Sequence, residues 1–311
     1  MIVKGKIMGL GLGIMATAFW ASLYVVTRMV FGNFSVDPLV LTFIRFLMAS
    51  LFFIAVILLM GHGRKLYMAL RGRFWTFAFL GLAGVFGEGA SQFYSLQYTT
   101  AARSCLFANT SPILTVILAA LFLKEPIRKR AVMGMIIGFF AMLMGMGGQP
   151  GSDQYMEKSR YLGDVLALLS AVCWSAYTVG GESVTKRYGG LVSASAAMLL
   201  GTVITLGFLL ATGRPVIPEM PLSVWCWMAY LGVGASGLAY VAWFSALKYL
   251  KAGELGAFGY ISTMLTAAMA VVLVKERISI SFILAFAGVL LGVWLMTSAQ
   301  AAKSTSRESL K

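Results

Sequence analysis

The chain has 311 residues, of which 59% are hydrophobic and 12% charged, with a formal net charge of +14. A soluble domain of this length carries roughly a quarter charged residues, so a water-facing surface cannot be built here and most of the outside must face lipid. The basic residues sit in short clusters between apolar runs and form no continuous face, which sets nucleic acid aside as a partner and is how membrane proteins fix their orientation.

Lys4 and Lys6 precede an apolar stretch that continues through Ala16-Thr17-Ala18 as far as Val26, so an uncleaved first span is expected rather than a signal peptide. Runs long enough to cross about 30 Å of hydrocarbon then follow one another. They lie near 7–27, 38–60, 74–97, 101–123, 131–148, 162–181, 192–211, 224–247, 252–274 and 279–298. The reading is an all-α integral membrane protein of ten transmembrane helices. With the N-terminus inside, 17 of the 25 Lys and Arg residues fall on the cytoplasmic side and 7 opposite, Arg45 lying within a span. That bias places both termini in the cytoplasm, with 301–311 as a short tail.

Candidate functional residues appear in the same order. In span 1, Trp20 and Tyr24 are spaced i, i+4 and share a helix face. Arg45 lies inside span 2 and Glu88 in the middle of span 3, where an ionisable group costs about 2.5–3.5 kcal/mol and should face a cavity or a partner. Glu88 reads either as a substrate-amine contact or proton-coupling carboxylate, or as an ion pair with Arg45 that locks two helices. Gln92 follows one turn along on the same face. Asn109 and Ser111 precede Pro112, which removes a backbone donor and predicts a kink in span 4. Asp164 is expected to cap span 6. Trp174 and Tyr177 share a face of that span, and Tyr240, Trp243 and Tyr260 add rings in spans 8 and 9. Such rings suit an apolar, aromatic or cationic substrate through stacking and cation–π contact, the alternative being ordinary packing. His62 reads as a solvated loop residue. Cys105, Cys173 and Cys226 show no spacing for zinc or a disulfide framework, so no metal or cofactor is expected.

The chain echoes itself at an offset of about 151 to 154 residues. Phe19-Trp20-Ala21-Ser22-Leu23-Tyr24 returns as Cys173-Trp174-Ser175-Ala176-Tyr177, and Leu123-Lys124-Glu125 as Val274-Lys275-Glu276. Ala102, Cys105 and Ala108 line up with Gly253, Gly256 and Gly259, and Gly134-x-x-x-Gly138 with Gly288-x-x-x-Gly292. Two five-span copies, 1–150 and 151–300, enter the membrane from opposite sides. An inverted repeat of this kind is the plan of many secondary transporters, with the site near the midplane between the copies.

These motifs, in their order, resemble the EamA-like branch of the drug/metabolite transporter superfamily over nearly the whole chain. The Trp20 and Trp174 segments, Pro38…Arg45-Phe46, Ser111-Pro112-x-x-Thr115 and Gly163-Asp164-x-x-Ala167-Leu168-x-Ser170-Ala171 carry the resemblance. Ser262-Thr263 stands where the first half has Ser111-Pro112, a departure from symmetry. The resemblance implies a ten-helix basket around a central cavity, in a bacterial inner membrane, moving metabolites or amino acids, often outward. Paired aspartates, a His-rich cluster or a nucleophile with its base are missing from the sequence, which argues against an intramembrane enzyme. No filter motif or phosphate-binding loop marks a channel or an ATP-driven pump. The expectation is a monomeric secondary transporter, with protons as a candidate coupling ion. It would export amino acids, aromatic or hydrophobic first, with cationic drug efflux as the alternative.

Overall fold

The computed structural model describes residues 2–122, 124, 129–146, 157–246, 249 and 258–308, apart from the side chains of 2–6, 112, 131, 142, 143, 145, 146, 157, 158, 244, 258–260, 293 and 296–308. Every regular element among the described residues is helical. They are α1 (Ile2–Asn33), α2 (Pro38–Leu59), α3 (Gly63–Gly72), α4 (Phe74–Gly81), α5 (Glu88–Tyr98), α6 (Ala101–Ala108), α7 (Ser111–Phe122) and α8 (Lys129–Met146). Then come α9 (Glu157–Tyr188), α10 (Gly190–Ala211), α11 (Leu222–Ala229), α12 (Ala239–Ala246), α13 (Phe258–Leu273) and α14 (Ile280–Glu308). Two π-helical segments, Leu82–Gly87 and Tyr230–Leu238, join α4 to α5 and α11 to α12. Leu123, Glu125, Gly253 and Gly256 lie outside the described residues.

Six helical stretches among the described residues are long and apolar enough to cross a bilayer on that basis alone: Ile7–Asn33, Pro38–Leu59, Ala101–Phe122, Ser159–Tyr188, Gly190–Ala211 and Leu222–Trp243. Val132–Ala141, Ile261–Leu273 and Ile280–Gly292 are apolar but shorter. Large side chains such as Leu51, Leu58, Phe139, Phe140 and Leu284 are exposed, as a surface facing lipid requires.

Local chemistry sets the helix ends. Asp37 caps α2, its Oδ1 accepting from the amides of Leu39 (2.8 Å) and Val40 (3.3 Å), with Pro38 in the first turn where its missing N–H costs nothing. The fourth apolar run breaks at Asn109–Thr110 into α6 and α7. Thr100 caps α6 locally, its Oγ1 accepting from the Arg103 amide at 3.3 Å. Glu276 caps it from the far end of the sequence, accepting from the amides of Ala101 (2.7 Å) and Ala102 (3.2 Å). Lys275 holds a left-handed φ of 56° just before Glu276, and Lys124 one of 54°. These are the middle residues of the two echoed Lys-Glu motifs.

The packing partners form a pattern. The α5 helix lies against α9 as α12 lies against α1, and α1 meets α13 as α9 meets α6 and α7. The α2 helix crosses α10, and α8 runs along α14. At the α2–α10 crossing Ser50 Oγ lies 2.9 Å from Thr202 Oγ1, two residues 152 apart in sequence. At α8–α14 a Cβ on Gly292 would sit 2.5 Å from the Gly134 carbonyl oxygen and 2.9 Å from the Gly138 nitrogen, so only glycine lets these backbones touch.

The connection between α2 and α4 carries α3, a short polar-faced helix whose N-cap position is held by His62, itself outside the helices. One sequence expectation is corrected. Asp164 does not cap span 6: α9 begins at Glu157, and Asp164 lies two turns inside it, fully buried and ion-paired with Arg103.

Candidate functional site

Arg45 sits on the buried face of α2, 5% exposed, and cannot leave its charge unsolvated there. Its Nε donates to Ser236 Oγ at 2.8 Å, and its Nη1 to Gln92 Oε1 at 3.4 Å. The Gln92 amide donates onward to Tyr24 Oη at 3.1 Å. The rings of Phe46 and Phe93 cover the guanidinium at 4.6 and 5.5 Å. A buried polar line thus joins α1, α2, α5 and the second π segment, with two aromatic rings against the guanidinium.

Glu88 has the opposite character. It opens α5 immediately after the first π segment and is only partly buried. Among the described residues its carboxylate makes no hydrogen bond and no ion pair; Arg45 acts on it through space and turns its own donors elsewhere. The field of Glu88 also reaches Tyr24, Cys173 and Tyr240. π-Helical turns widen the backbone spiral and recur where a helix must re-aim a side chain. Here the turn is glycine-rich, and Gly84 admits the Tyr177 ring so closely that a Cβ would lie 2.2 Å from its Cδ2.

Five of the rings singled out from sequence come together. Trp20 packs on Tyr240 edge-on with centroids 5.8 Å apart, and Trp174 meets the same ring at 6.5 Å. Tyr177 stacks on Trp174 at 5.5 Å, and Trp243 lies 5.0 Å from Trp20. The Trp20 indole donates to the Ala235 carbonyl at 3.1 Å, fixing the ring against the second π segment. These rings are partly exposed, whereas Arg45, Gln92 and Tyr24 are buried.

The remaining candidates divide. Asn109 turns its amide back onto the Cys105 carbonyl at 2.8 Å and sulfur at 3.2 Å, closing the end of α6. The carbonyl of Ser111, beside the break, accepts from Ser175 of α9 at 2.9 Å. Tyr260 lies on α13, and its side chain is outside the described residues, as is that of Pro112. Ser236 and the two phenylalanines around Arg45 escaped the sequence reading, although the glycine-rich run around Ser236 marks a close approach.

A second polar set bridges the N- and C-terminal parts of the chain away from the rings. Arg103, with no exposed surface, binds Asp164 through Nε at 3.2 Å and through a close Nη2 contact, and Thr99 donates to the same carboxylate at 3.2 Å. Arg214 binds Asp37 at 2.9 Å and Tyr94 Oη at 2.6 Å. Together with the Glu276 cap, these contacts join elements on either side of residue 150.

The profile of the EamA-like transporter family matches residues 7–146 and again 161–298. The chain is 27% identical over 287 residues to an uncharacterized transporter of Archaeoglobus fulgidus, covering 90% of this chain and 94% of that one. It is 29% identical over 204 residues to the uncharacterized transporter YyaM of Bacillus subtilis, 65% of this chain and 66% of that one. To the aromatic amino acid exporter YddG of Ancylobacter novellus it is 25% identical over 271 residues, 84% and 87% of the two chains. One solved crystal structure superposes with a TM-score of 0.66 at 24% identity, over 95% of this chain and 98% of that one.

Proposed function

Because this chain belongs to the EamA-like transporter family, we propose that it is a secondary transporter exporting small amine-bearing metabolites, aromatic or hydrophobic amino acids first among them. The observation that carries this reading is a carboxylate, Glu88, that makes no hydrogen bond or ion pair among the described residues, beside a cluster of partly exposed aromatic rings. An ammonium group would take the carboxylate, and an apolar or aromatic side chain the rings. The name of the Ancylobacter relative supports the same class.

The proposed architecture has ten spans in two inverted halves, 1–150 and 151–300, around a central cavity, with both ends cytoplasmic. The double profile match, the two π segments, the two left-handed lysines and the exchanged packing pairs support it. Transport then proceeds by rocking of one half against the other about a midplane site. The chain works as a monomer in a bacterial inner membrane, with Glu88 as the group through which a proton would couple.

A second reading, efflux of organic cations, is favoured by one specific observation: Arg45 is buried and committed, so a substrate carboxylate finds no guanidinium at the rings. Proteoliposomes loaded with labelled phenylalanine or with labelled phenethylamine separate the two, with and without a pH gradient. Flux of phenylalanine that phenethylamine does not suppress supports amino acid export. Flux of phenethylamine that phenylalanine does not suppress supports cation efflux, and no flux of either defeats both.

A further inference from the structure

We propose that α3 and the helix ends beside it bind the phosphate groups of anionic phospholipids at the membrane surface. The α3 helix is 10 residues long, about 15 Å at the α-helical rise and half the thickness of the hydrocarbon. The chain leaves the bundle at Leu59 and re-enters it at Phe74, so α3 stays on one surface, the side that the charge bias assigns to the cytoplasm. Its inner face is fixed: Ala69 is fully buried, and Leu66 and Leu70 pack with it against Val184 and Val192 of α9 and α10.

The outer face is basic. Arg64, Lys65 and Arg71 are exposed along α3, and Arg73 follows. The Tyr188 ring, packed on Phe77 at 6.2 Å with its hydroxyl against Gly72, brings exposed Arg187 to the same end of the molecule; Lys186 beside it is ion-paired with Glu182. The N-terminus of α3 has no side-chain cap, so first-turn amides add their donors to the charges of Arg64 and Lys65.

Charge alone would serve any polyanion, but the flank of the patch selects a lipid. Tyr67, Phe74 and Trp75 are 61%, 46% and 82% exposed, next to Leu59 at 88%. Aromatic and aliphatic groups at this border sit at headgroup depth, while the basic groups above them face phosphate. Anionic headgroups attract each Lys or Arg at the surface by an amount equal to about fivefold in affinity.

The test uses the full-length chain in detergent micelles, titrated with phosphatidylglycerol or phosphatidylcholine while the thermal unfolding midpoint is followed. Phosphatidylglycerol should raise the midpoint at lower concentration than phosphatidylcholine, and 1 M salt should erase the difference. The variant Arg64→Gln/Lys65→Gln/Arg71→Gln should weaken the preference about fivefold per charge removed, whereas Arg277→Gln should leave it intact. Equal response to both lipids, or a preference that survives both high salt and the triple variant, overturns the proposal. Inorganic phosphate acting as strongly as phosphatidylglycerol would assign the patch to a soluble anion and overturn the lipid.

Discussion

Glu88 and Arg45 face the same interior yet lead different lives. Arg45 is the buried centre of a hydrogen-bonded line, while Glu88 makes no hydrogen bond among the described residues. Removing the first should damage the fold and removing the second the function. For Glu88→Gln the expected outcome is a normal unfolding midpoint with substrate affinity lowered about 10- to 100-fold, the worth of a charge-assisted contact. Binding measured by competition in proteoliposomes checks this; unchanged affinity would assign the carboxylate no contact with substrate. Asp164→Ala should behave oppositely, costing about 3–5 kcal/mol by stranding the fully buried Arg103. Thermal unfolding in detergent reads that loss, and a midpoint equal to wild type would mean that water reaches the guanidinium. The shared faces of Trp20 with Tyr24 and of Trp174 with Tyr177 were legible because helical spacing predicts them. The meeting of Trp20 and Trp174 on Tyr240, like the Arg103–Asp164 pair, was not, since no periodicity links residues on two different helices.

Among the elements, the apolar runs announce themselves by length, and among the described residues six of the ten meet helices long and apolar enough to cross a bilayer. Two kinds of element do not announce themselves this way. The α3 helix is too short and too polar to register as a run, so its residues read as a charged connection. The π segments each differ from an α-helix by a local widening that leaves the hydrophobic pattern intact, with only the glycines Gly81, Gly84 and Gly87 to mark the first. The Lys-Glu motif was visible as a repeat, but its work as a cap on α6 depends on a contact 175 residues away. Glu276→Ala should therefore cost about 1 kcal/mol, the usual worth of a helix cap. Burial pushes the Glu276 carboxyl above its ordinary range, against the opposing pull of the Ala101 and Ala102 amides. A raised folded-state value means that this group favours the fold most at acid pH and loses that contribution as pH rises through it. Glu276→Gln should flatten this part of the unfolding profile just above the ordinary glutamate range. A variant profile parallel to wild type would remove Glu276 from the account.

Over the whole molecule, the packing partners exchange in pairs, and two crossings join an element to its own counterpart: α8 with α14, and α2 with α10. In the second, Ser50 meets Thr202 at 2.9 Å, while the Arg214–Asp37 contact lies toward the rim and is partly exposed. A body that tilts about a line keeps distances on that line and changes those far from it. In the proposed rocking of the two halves, the Ser50–Thr202 contact is the pivot and the Arg214–Asp37 contact the lever arm. Tethering the pivot with Ser50→Cys/Thr202→Cys should spare turnover, whereas tethering the arm with Asp37→Cys/Arg214→Cys should arrest it until the bond is reduced. Arrest at both places would mean that the halves slide past one another instead of turning.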